Sequence, residues 1–250
     1  MSFLATAGLT EGAAALLVAV ALMAGLARGF SGFGAALIYM PLASAVVGPK
    51  IAAVSLLVAD AVMTVGMLPE GWRKANRHEA LLMLAGAVVG IPLGAMALAN
   101  LPTMVLRWGI CLMVFLMLAL LLSGWRYRQS PTAPLTVAVG AVSGFFGGAA
   151  QLGGPAVVAY WLGGALPAAN MRASIVLYFG MATIISGISY FTGGLFVLQA
   201  FVVALIVGPS YGIGLYAGSR LFGLASEATF RRICLGLIAA AGILGLPIFG

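Results

Sequence analysis

The strongest constraint on this chain is a series of long apolar segments that hold almost no charged residues. Segments 80–99, 104–123 and 195–217 are each long enough to cross the hydrocarbon core of a bilayer, which takes about 20 helical residues. Charged residues make up only 7% of the chain and hydrophobic residues 63%, whereas a water-soluble domain carries about 25% charged residues. A core of this size cannot bury so much apolar surface, so we predict an integral membrane protein.

The length and continuity of these segments predict helices. A membrane β-barrel would instead alternate polar and apolar residues over strands of about ten residues. The chain is therefore predicted to be an all-α integral membrane protein with a single membrane domain over residues 1–250. We distinguish ten apolar segments, at residues 12–27, 35–47, 51–68, 80–99, 104–123, 135–148, 155–166, 172–191, 195–217 and 229–249.

An internal repeat divides the chain near its middle. The sequence at 31–33 resembles that at 143–145, and residues 49–57 resemble residues 167–177. A GxxxG pair followed by an arginine also occurs in each half, at a constant separation of 124 residues. Small residues recur at any packed helix interface, but their recurrence in order with other landmarks indicates a duplication.

The number of segments predicts how the two halves are related. Each half holds five segments, so the second half begins on the opposite side of the membrane if each segment crosses, or if two of the five form a re-entrant pair. We therefore predict two inverted-topology repeats, 12–123 and 135–250, joined by a linker at 124–134.

The distribution of basic residues predicts the orientation of these repeats. Cytoplasmic loops of membrane proteins are enriched in lysine and arginine. If residues 69–79 are cytoplasmic, nine of the twelve basic residues fall on that side, two fall outside, and Arg28 lies in the first helix break. The linker 124–134 is then cytoplasmic, and both termini are extracytoplasmic.

Short, glycine-rich segments predict where helices break. Segments 135–148 and 155–166 are too short to span a bilayer, and 35–47 is also short. Each repeat is therefore expected to open with a broken or re-entrant helix pair. Irregular backbone at membrane depth is tolerated only where it is buried in protein or lines a polar cavity, and matching interruptions in two halves indicate a transport site.

The predicted breaks favour an anion as the ligand. Half-helix N-termini present free N–H groups and the positive end of the helix dipole, and glycines allow a small ligand to approach the backbone closely. Serine and glutamine side chains beside them add hydrogen-bond donors. The substrate-binding residues predicted from the two segments are Ser31, Gly32, Gly34, Ser143, Gly144, Gln151, Gly153 and Gly154.

Two charged residues within apolar surroundings each have two interpretations. Arg28 is either a charge that attracts the anion, since unpaired charges at membrane depth are costly and usually functional, or an anchor at the end of a full-length first span. Asp60 is the one acid well inside an apolar segment. It is either a proton-coupling group or a packing residue that is hydrogen-bonded or salt-bridged, with Arg28 as a candidate partner.

Arg172 and Tyr178 lie together in the stretch "RASIVLYF". Arg172 is either an anchor at the cytoplasmic interface or a second contact to the anion, and Tyr178 is a further candidate for the same site. We include both residues among the predicted substrate-binding residues.

The sequence favours a transporter over an enzyme. It contains no Walker loop, no HExxH motif and no cluster of cysteine and histidine, so we expect no enzyme activity, no cofactor and no metal. The expected partners are a small anionic substrate and the lipid bilayer, and nucleic acid is not expected. Self-association into a homo-oligomer is left open.

Several motifs resemble those of the TauE/SafE family of sulfite and organosulfonate exporters. The stretch "GFSGFGAALIYMPL" is similar to the family's first glycine-rich motif, and "SGFFGGAAQLGGPAVVAYW" to its second. The most specific similarity is "RASIVLYF" followed by "YFTGGL" and "GLYAGSRLF". These motifs cover nearly the whole chain in the family's order.

The resemblance implies an inner-membrane transporter, built as a duplicated half, that moves small sulfur-containing anions such as sulfite or sulfoacetate outward. Ala35 and Ala36 stand where relatives often have glycines, and Gln151 interrupts the second glycine run. Two other function classes stay open from the residues alone: a passive anion channel or uniporter, and a membrane scaffold that transports nothing.

Overall fold

The computed structural model describes residues 6–125, 127, 131–161, 168–221 and 227–248. Within these ranges, side-chain positions are described for all residues except Met67, Glu70, 168–169, Arg172 and 227–231. The described residues form helices, turns and short connections, without β-strands. The prediction of an all-helical protein is therefore confirmed over these ranges.

Eleven helices account for most of the described residues. A 3₁₀ turn at Val65–Met67 joins the third helix to the fourth. In chain order the helices are α1 Glu11–Ser31, α2 Ala35–Val47, α3 Pro49–Thr64, α4 Leu68–Lys74, α5 Arg77–Asn100, α6 Thr103–Ser123, α7 Ala133–Ala150, α8 Gly154–Trp161, α9 Ala168–Thr192, α10 Leu198–Leu221 and α11 Glu227–Leu244.

Six of the described helices are long and apolar enough to cross a membrane: α1, α5, α6, α7, α9 and α10. This finding corrects the expectation that segment 135–148 is too short. The helix there is α7, which has 18 residues because the glycines of "SGFFGGAA" continue it to Ala150. Helix α1 likewise runs for 21 residues and includes Arg28, so this residue lies within the last helical turn and not in a break.

Helices α1 and α7 both end in a residue with left-handed backbone. Gly32 has φ 79° and its N–H bonds the carbonyl oxygen of Arg28, and Gly34 has φ 95° where α2 begins. Gln151 has φ 59°, the one positive φ of a residue other than glycine among the described residues. Because this conformation stops an α-helix, the chain turns at 32–34 and again at 151–153.

Two parallel helix pairs hold the structure together through glycines. Gly25 and Gly29 of α1 face the backbone of α10, and Gly214 and Gly218 of α10 face the backbone of α1. A side chain at any of these four positions would overlap main-chain atoms of the other helix. Glycine therefore permits the close approach, as in other helix interfaces of membrane proteins.

The second pair, α5 and α7, is built in the same way. Gly86, Gly90 and Gly94 of α5 face α7, while Gly140, Gly144 and Gly148 of α7 face α5. In each pair, the helix that precedes a break packs against a helix from the other half of the chain. The two halves are thus interlocked by reciprocal contacts.

The short helices that follow the breaks lie in the interior. The first seven residues of α2, Ala35–Pro41, are buried, and so are Val157–Trp161 of α8. Helix α2 contacts α1, α3, α6 and α11, which surround it. Beside these helices, the second break is buried at Leu152 and Gly153, whereas the first, at 32–34, is half-buried and its Gly32 lines a cavity. Non-helical backbone in a membrane protein is tolerated in these two settings.

Alanine substitutions at two helical glycines test this packing. The added Cβ in Gly90→Ala would overlap the carbonyl oxygen of Ala141, whereas a Cβ at Gly109 of α6 meets nothing within 4 Å. We expect Gly90→Ala to lower the free energy of unfolding by about 1–3 kcal/mol through overpacking. Gly109→Ala should be neutral, or stabilise by up to about 1 kcal/mol.

The measurement is the thermal unfolding midpoint of each purified variant in detergent. Equal midpoints for Gly90→Ala and Gly109→Ala would show that α5 and α7 do not depend on this glycine contact.

Candidate functional site

An ion pair joins the last turn of α1 to α3. Arg28 Nε lies 2.6 Å from Asp60 Oδ1, and the two side chains are 16% and 19% exposed. Tyr211, which is fully buried near the middle of the 24-residue α10, donates its hydroxyl to the same Oδ1 at 2.5 Å. The three residues come from α1, α3 and α10, so the ion pair and its hydrogen bond form only when these helices pack together.

The pair explains how charged groups are accommodated among apolar helices. An isolated ion costs several kcal/mol to remove from water, and a close partner of opposite charge offsets that cost. Of the alternatives for Asp60, the structure shows the salt bridge to Arg28. Arg28 is therefore a paired charge, and it lies in the last turn of a helix that is long enough to span a membrane, as the anchor interpretation expects.

A cavity of about 360 Å³, the larger of two that adjoin the helix breaks, lies beside this pair. Its walls come from α1, the 32–34 break, α3, α9 and α10, and Arg28 is the charged residue among them. Five apolar residues and four glycines make up most of the rest. The lining residues are Arg28, Gly29, Gly32, Met63, Thr64, Ile175, Val176, Phe179, Gly180, Gly212, Leu215, Tyr216 and Ser219.

Arg28 retains hydrogen-bonding capacity toward this cavity. A guanidinium carries five N–H donors, and a single carboxylate takes two of them at most. The hydroxyl groups of Thr64 and Ser219 are directed to the carbonyl oxygens of Asp60 and Tyr216. Among the described side chains, the cavity therefore offers one cation, whose donors outnumber what the Asp60 carboxylate can accept, inside a mostly apolar wall, an arrangement suited to a small anion.

A smaller cavity of about 40 Å³ lies beside the second break. Five of its lining residues come from the end of α7 and the break itself, five from α9, and one from α5. These residues are Ile91, Ser143, Gly144, Gly147, Gln151, Gly153, Tyr178, Phe179, Ala182, Thr183 and Ser186.

Hydrogen bonds around the smaller cavity stabilise the break. Ser143 donates to the carbonyl oxygen of Gly153 at 2.9 Å and accepts from the Tyr178 hydroxyl at 3.1 Å. Gln151 Nε2 donates to the Tyr190 hydroxyl at 3.1 Å, and that hydroxyl donates to the carbonyl oxygen of Gly148 at 2.8 Å. Much of the polar capacity predicted for ligand binding is therefore used to hold non-helical backbone in place.

The two breaks meet each other in the interior. A Cβ added to Gly154, at the start of α8, would lie 3.3 Å from Cβ of Phe33 in the first break and 3.9 Å from the Phe179 ring. Phe179 lines both cavities. The two cavities are thus neighbours that share Phe179 as a wall residue.

The structure distributes the predicted site residues over several places. Arg28 and Gly32 line the larger cavity, while the residues lining the smaller one are Ser143, Gly144, Gln151, Gly153 and Tyr178. Gly34 and Gly154 line neither cavity and form backbone at the two helix starts. The side chain of Arg172 lies outside the described residues.

Ser31 does not correspond to Ser143 in the structure. Ser31 directly precedes the break at Gly32, and its exposed side chain places Oγ 2.6 Å from the carbonyl oxygen of Ala27 and 2.5 Å from that of Phe33. Ser143 is buried two turns before the break at Gln151. The sequence similarity paired the serines, whereas the matching left-handed residues are Gly32 and Gln151.

Two residues of the site were not predicted from the sequence. Tyr211 donates a hydrogen bond to Asp60 of the ion pair, and Phe179 lines both cavities. The sequence carries a signal for the first, because Tyr211 is a hydroxyl-bearing residue among glycines and apolar residues in "GPSYGIG". The sequence carries no such signal for Phe179, since aromatic residues are common throughout these helices.

Among the described residues, no group of three His, Cys, Asp or Glu is placed to hold a metal ion.

A double-mutant cycle tests the ion pair. Arg28→Gln and Asp60→Asn each leave one partly buried charge without its partner, so each should lower the free energy of unfolding by about 3–5 kcal/mol. The double variant removes both charges and should lose less than the sum of the two single effects. Unfolding in detergent would be followed by tryptophan fluorescence, and strictly additive losses would contradict the coupling.

Comparison with known proteins assigns the chain to a family. No curated protein and no solved structure matches it. Residues 17–244 match the family described as sulfite exporter TauE/SafE. The match covers all eleven described helices apart from the first turns of α1, and with them both breaks and both cavities. The protein therefore belongs to the TauE/SafE sulfite exporter family, whose members are membrane transporters and not enzymes.

Proposed function

We propose that this protein is a secondary transporter that exports small sulfur-containing anions, sulfite or organosulfonates such as sulfoacetate, across the inner membrane. The observation that carries the proposal is the larger cavity, in which Arg28 is the charged residue of an otherwise mostly apolar wall. The family membership supports the same class of substrate.

The chemistry of the cavity fits such an anion. Sulfite and sulfonate groups present several acceptor oxygens, and the planar fork of a guanidinium can donate to two of them at once. A volume of about 360 Å³ lies at the small end of ligand pockets, which span about 300–1,000 Å³. The cavity has room for sulfite, and also for the short carbon chain of a small organosulfonate against Met63, Ile175 and Leu215.

We propose that the framework consists of two inverted repeats, 12–123 and 135–250, with a cytoplasmic linker at 124–134 and both termini outside. The reciprocal pairing of α1 with α10 and of α5 with α7 supports this arrangement. Interrupted helices at the interface of inverted repeats suit alternating access, in which one bundle rocks against another around a central site.

We further propose that Asp60 couples transport to protons. In this scheme the Asp60 carboxylate pairs with the Arg28 guanidinium when no substrate is bound, at the observed distance of 2.6 Å between Oδ1 and Nε. Protonation of Asp60 removes its negative charge and weakens its hold on the guanidinium, so an anion can take its place. The titratable groups facing Asp60 are Arg28 and Tyr211, and Arg28 stays charged at every physiological pH.

Transport by reconstituted protein tests the proposal. Radiolabelled sulfite uptake into proteoliposomes should rise above its equilibrium level when a pH gradient is imposed. Uptake that only equilibrates would instead indicate a channel or uniporter. If neither sulfite nor sulfoacetate is taken up, the proposal fails and the scaffold interpretation gains.

The contribution of Arg28 is isolated by two variants that differ at this residue alone. Asp60→Asn should still take up sulfite, whereas the double variant Arg28→Gln/Asp60→Asn should bind it about 10- to 100-fold more weakly, since a charge-assisted hydrogen bond contributes about 1.5–3 kcal/mol. Arg77→Gln serves as a control, because Arg77 is exposed and bonds the carbonyl oxygen of Trp72. Equal sulfite affinity in the two test variants would exclude Arg28 from the site.

The coupling role of Asp60 gives a separate prediction. Asp60→Asn removes the titratable group but keeps a side chain of nearly the same size. The initial rate of sulfite uptake should then lose its dependence on pH, and the imposed gradient should no longer produce accumulation. A pH–rate profile that matches the unmodified protein would make Asp60 a structural partner of Arg28 only.

A further inference from the structure

We propose that Phe179 is the barrier between two parts of one anion path, with the Arg28 cavity on one side and the smaller cavity at the second break on the other. This inference rests on the proposed transport function. Among the described residues it is Phe179 that lines both cavities.

The geometry of α9 explains this position. Ile175, Val176 and Gly180 line the larger cavity, and Ala182, Thr183 and Ser186 line the smaller one. Residues three or four apart share one face of a helix, so both sets lie on largely the same face of α9, the first nearer its start and the second nearer its end. Phe179 lies between them along the helix and borders both spaces.

The surroundings of the ring suit a side chain that moves. It makes an edge contact with Tyr178, with ring centroids 5.1 Å apart, and its Cζ would lie 3.9 Å from a Cβ added to Gly154. Gly154 also adjoins Phe33 of the first break. A shift of either break would therefore change the room available to the Phe179 ring.

The chemistry of the two cavities indicates why an apolar barrier separates them. A space of about 40 Å³ accommodates little more than one water molecule, whose share of liquid volume is about 30 Å³, so the smaller cavity is closed to the anion in this conformation. An aromatic ring offers an anion no hydrogen bond in exchange for its hydration shell. Turning the ring aside would join the small cavity, with its Ser186 and Thr183 side chains, to the larger one.

Thiol accessibility tests the barrier without requiring transport. Ser186→Cys, placed in a chain whose Cys111 and Cys234 are changed to alanine, puts a thiol at a buried position on the smaller cavity. The probe is an anionic methanethiosulfonate reagent that itself carries a sulfonate group. We expect Phe179→Ala to raise the labelling rate of this thiol at least tenfold in detergent, and Phe179→Leu to give an intermediate rate.

Phe196→Ala is the matched control. Phe196 is also partly buried, stacks on Phe201 at 5.5 Å, and lines neither cavity, so its truncation should leave the labelling rate unchanged. The labelling rate of the same thiol in denatured protein shows what unfolding alone would give. If the Phe179→Ala variant is labelled that fast, the variant has unfolded, and the labelling rate of Phe179→Leu then tests the barrier. Equal labelling rates with phenylalanine, leucine and alanine at position 179 would overturn the barrier.

Sulfite flux separates this inference from the proposed function. In proteoliposomes, Phe179→Ala should let sulfite equilibrate several-fold faster and abolish accumulation under a pH gradient. If the unmodified protein moves no sulfite but thiol labelling still depends on residue 179, the barrier stands and the sulfite proposal falls. The opposite result is also informative. If the unmodified protein shows coupled sulfite uptake, and Phe179→Ala changes neither the flux nor the labelling rate, the proposed transport function stands and the Phe179 barrier is wrong.

Discussion

The structure depends on one constraint: backbone polar groups away from water must find partners inside the protein. Both helix breaks interrupt the helical hydrogen bonds, and at each break nearby residues supply hydrogen-bond partners. At the first, the N–H of Gly32 bonds the carbonyl oxygen of Arg28. At the second, Ser143 and the Gln151–Tyr190 pair hold the backbone of Gly153 and Gly148. Long helices enclose much of this backbone, and residues of both breaks line the cavities between them. Such enclosure is the condition under which a membrane protein tolerates non-helical backbone.

That enclosure relies on residues without side chains. Glycines on both members of each parallel pair let α1 meet α10, and α5 meet α7, at backbone distance. Since lipid tails are as apolar as leucine, close packing and not hydrophobic burial holds such helices together. The same contacts fix the level of Arg28 relative to Tyr211, and so they create the ion pair and the cavity beside it.

The residue types of the candidate site could be predicted from the sequence, but the role of each residue could not. The glycine-rich segments, the two intramembrane charges and the anionic ligand class follow from residue type and position. The roles of Ser143 and Gln151 did not, because a hydroxyl or amide near a break can serve a ligand or the backbone, and only the geometry distinguishes the two. Pairing the serines by local similarity failed for a related reason: the functional landmark is the left-handed residue, which is glycine in one half and glutamine in the other.

The sequence by itself determined the class of protein, because lipid admits only chains with long apolar segments and few charges. It also determined that this is a TauE/SafE transporter, through motifs spread over the chain. Only the tertiary structure decided that α7 is long enough to span, that Arg28 pairs with Asp60 and Tyr211, and that Phe179 adjoins both cavities. The last two features depend on distances between helices far apart in the chain, and those distances are set by how the helices pack, in part at glycines, which periodicity and composition do not encode.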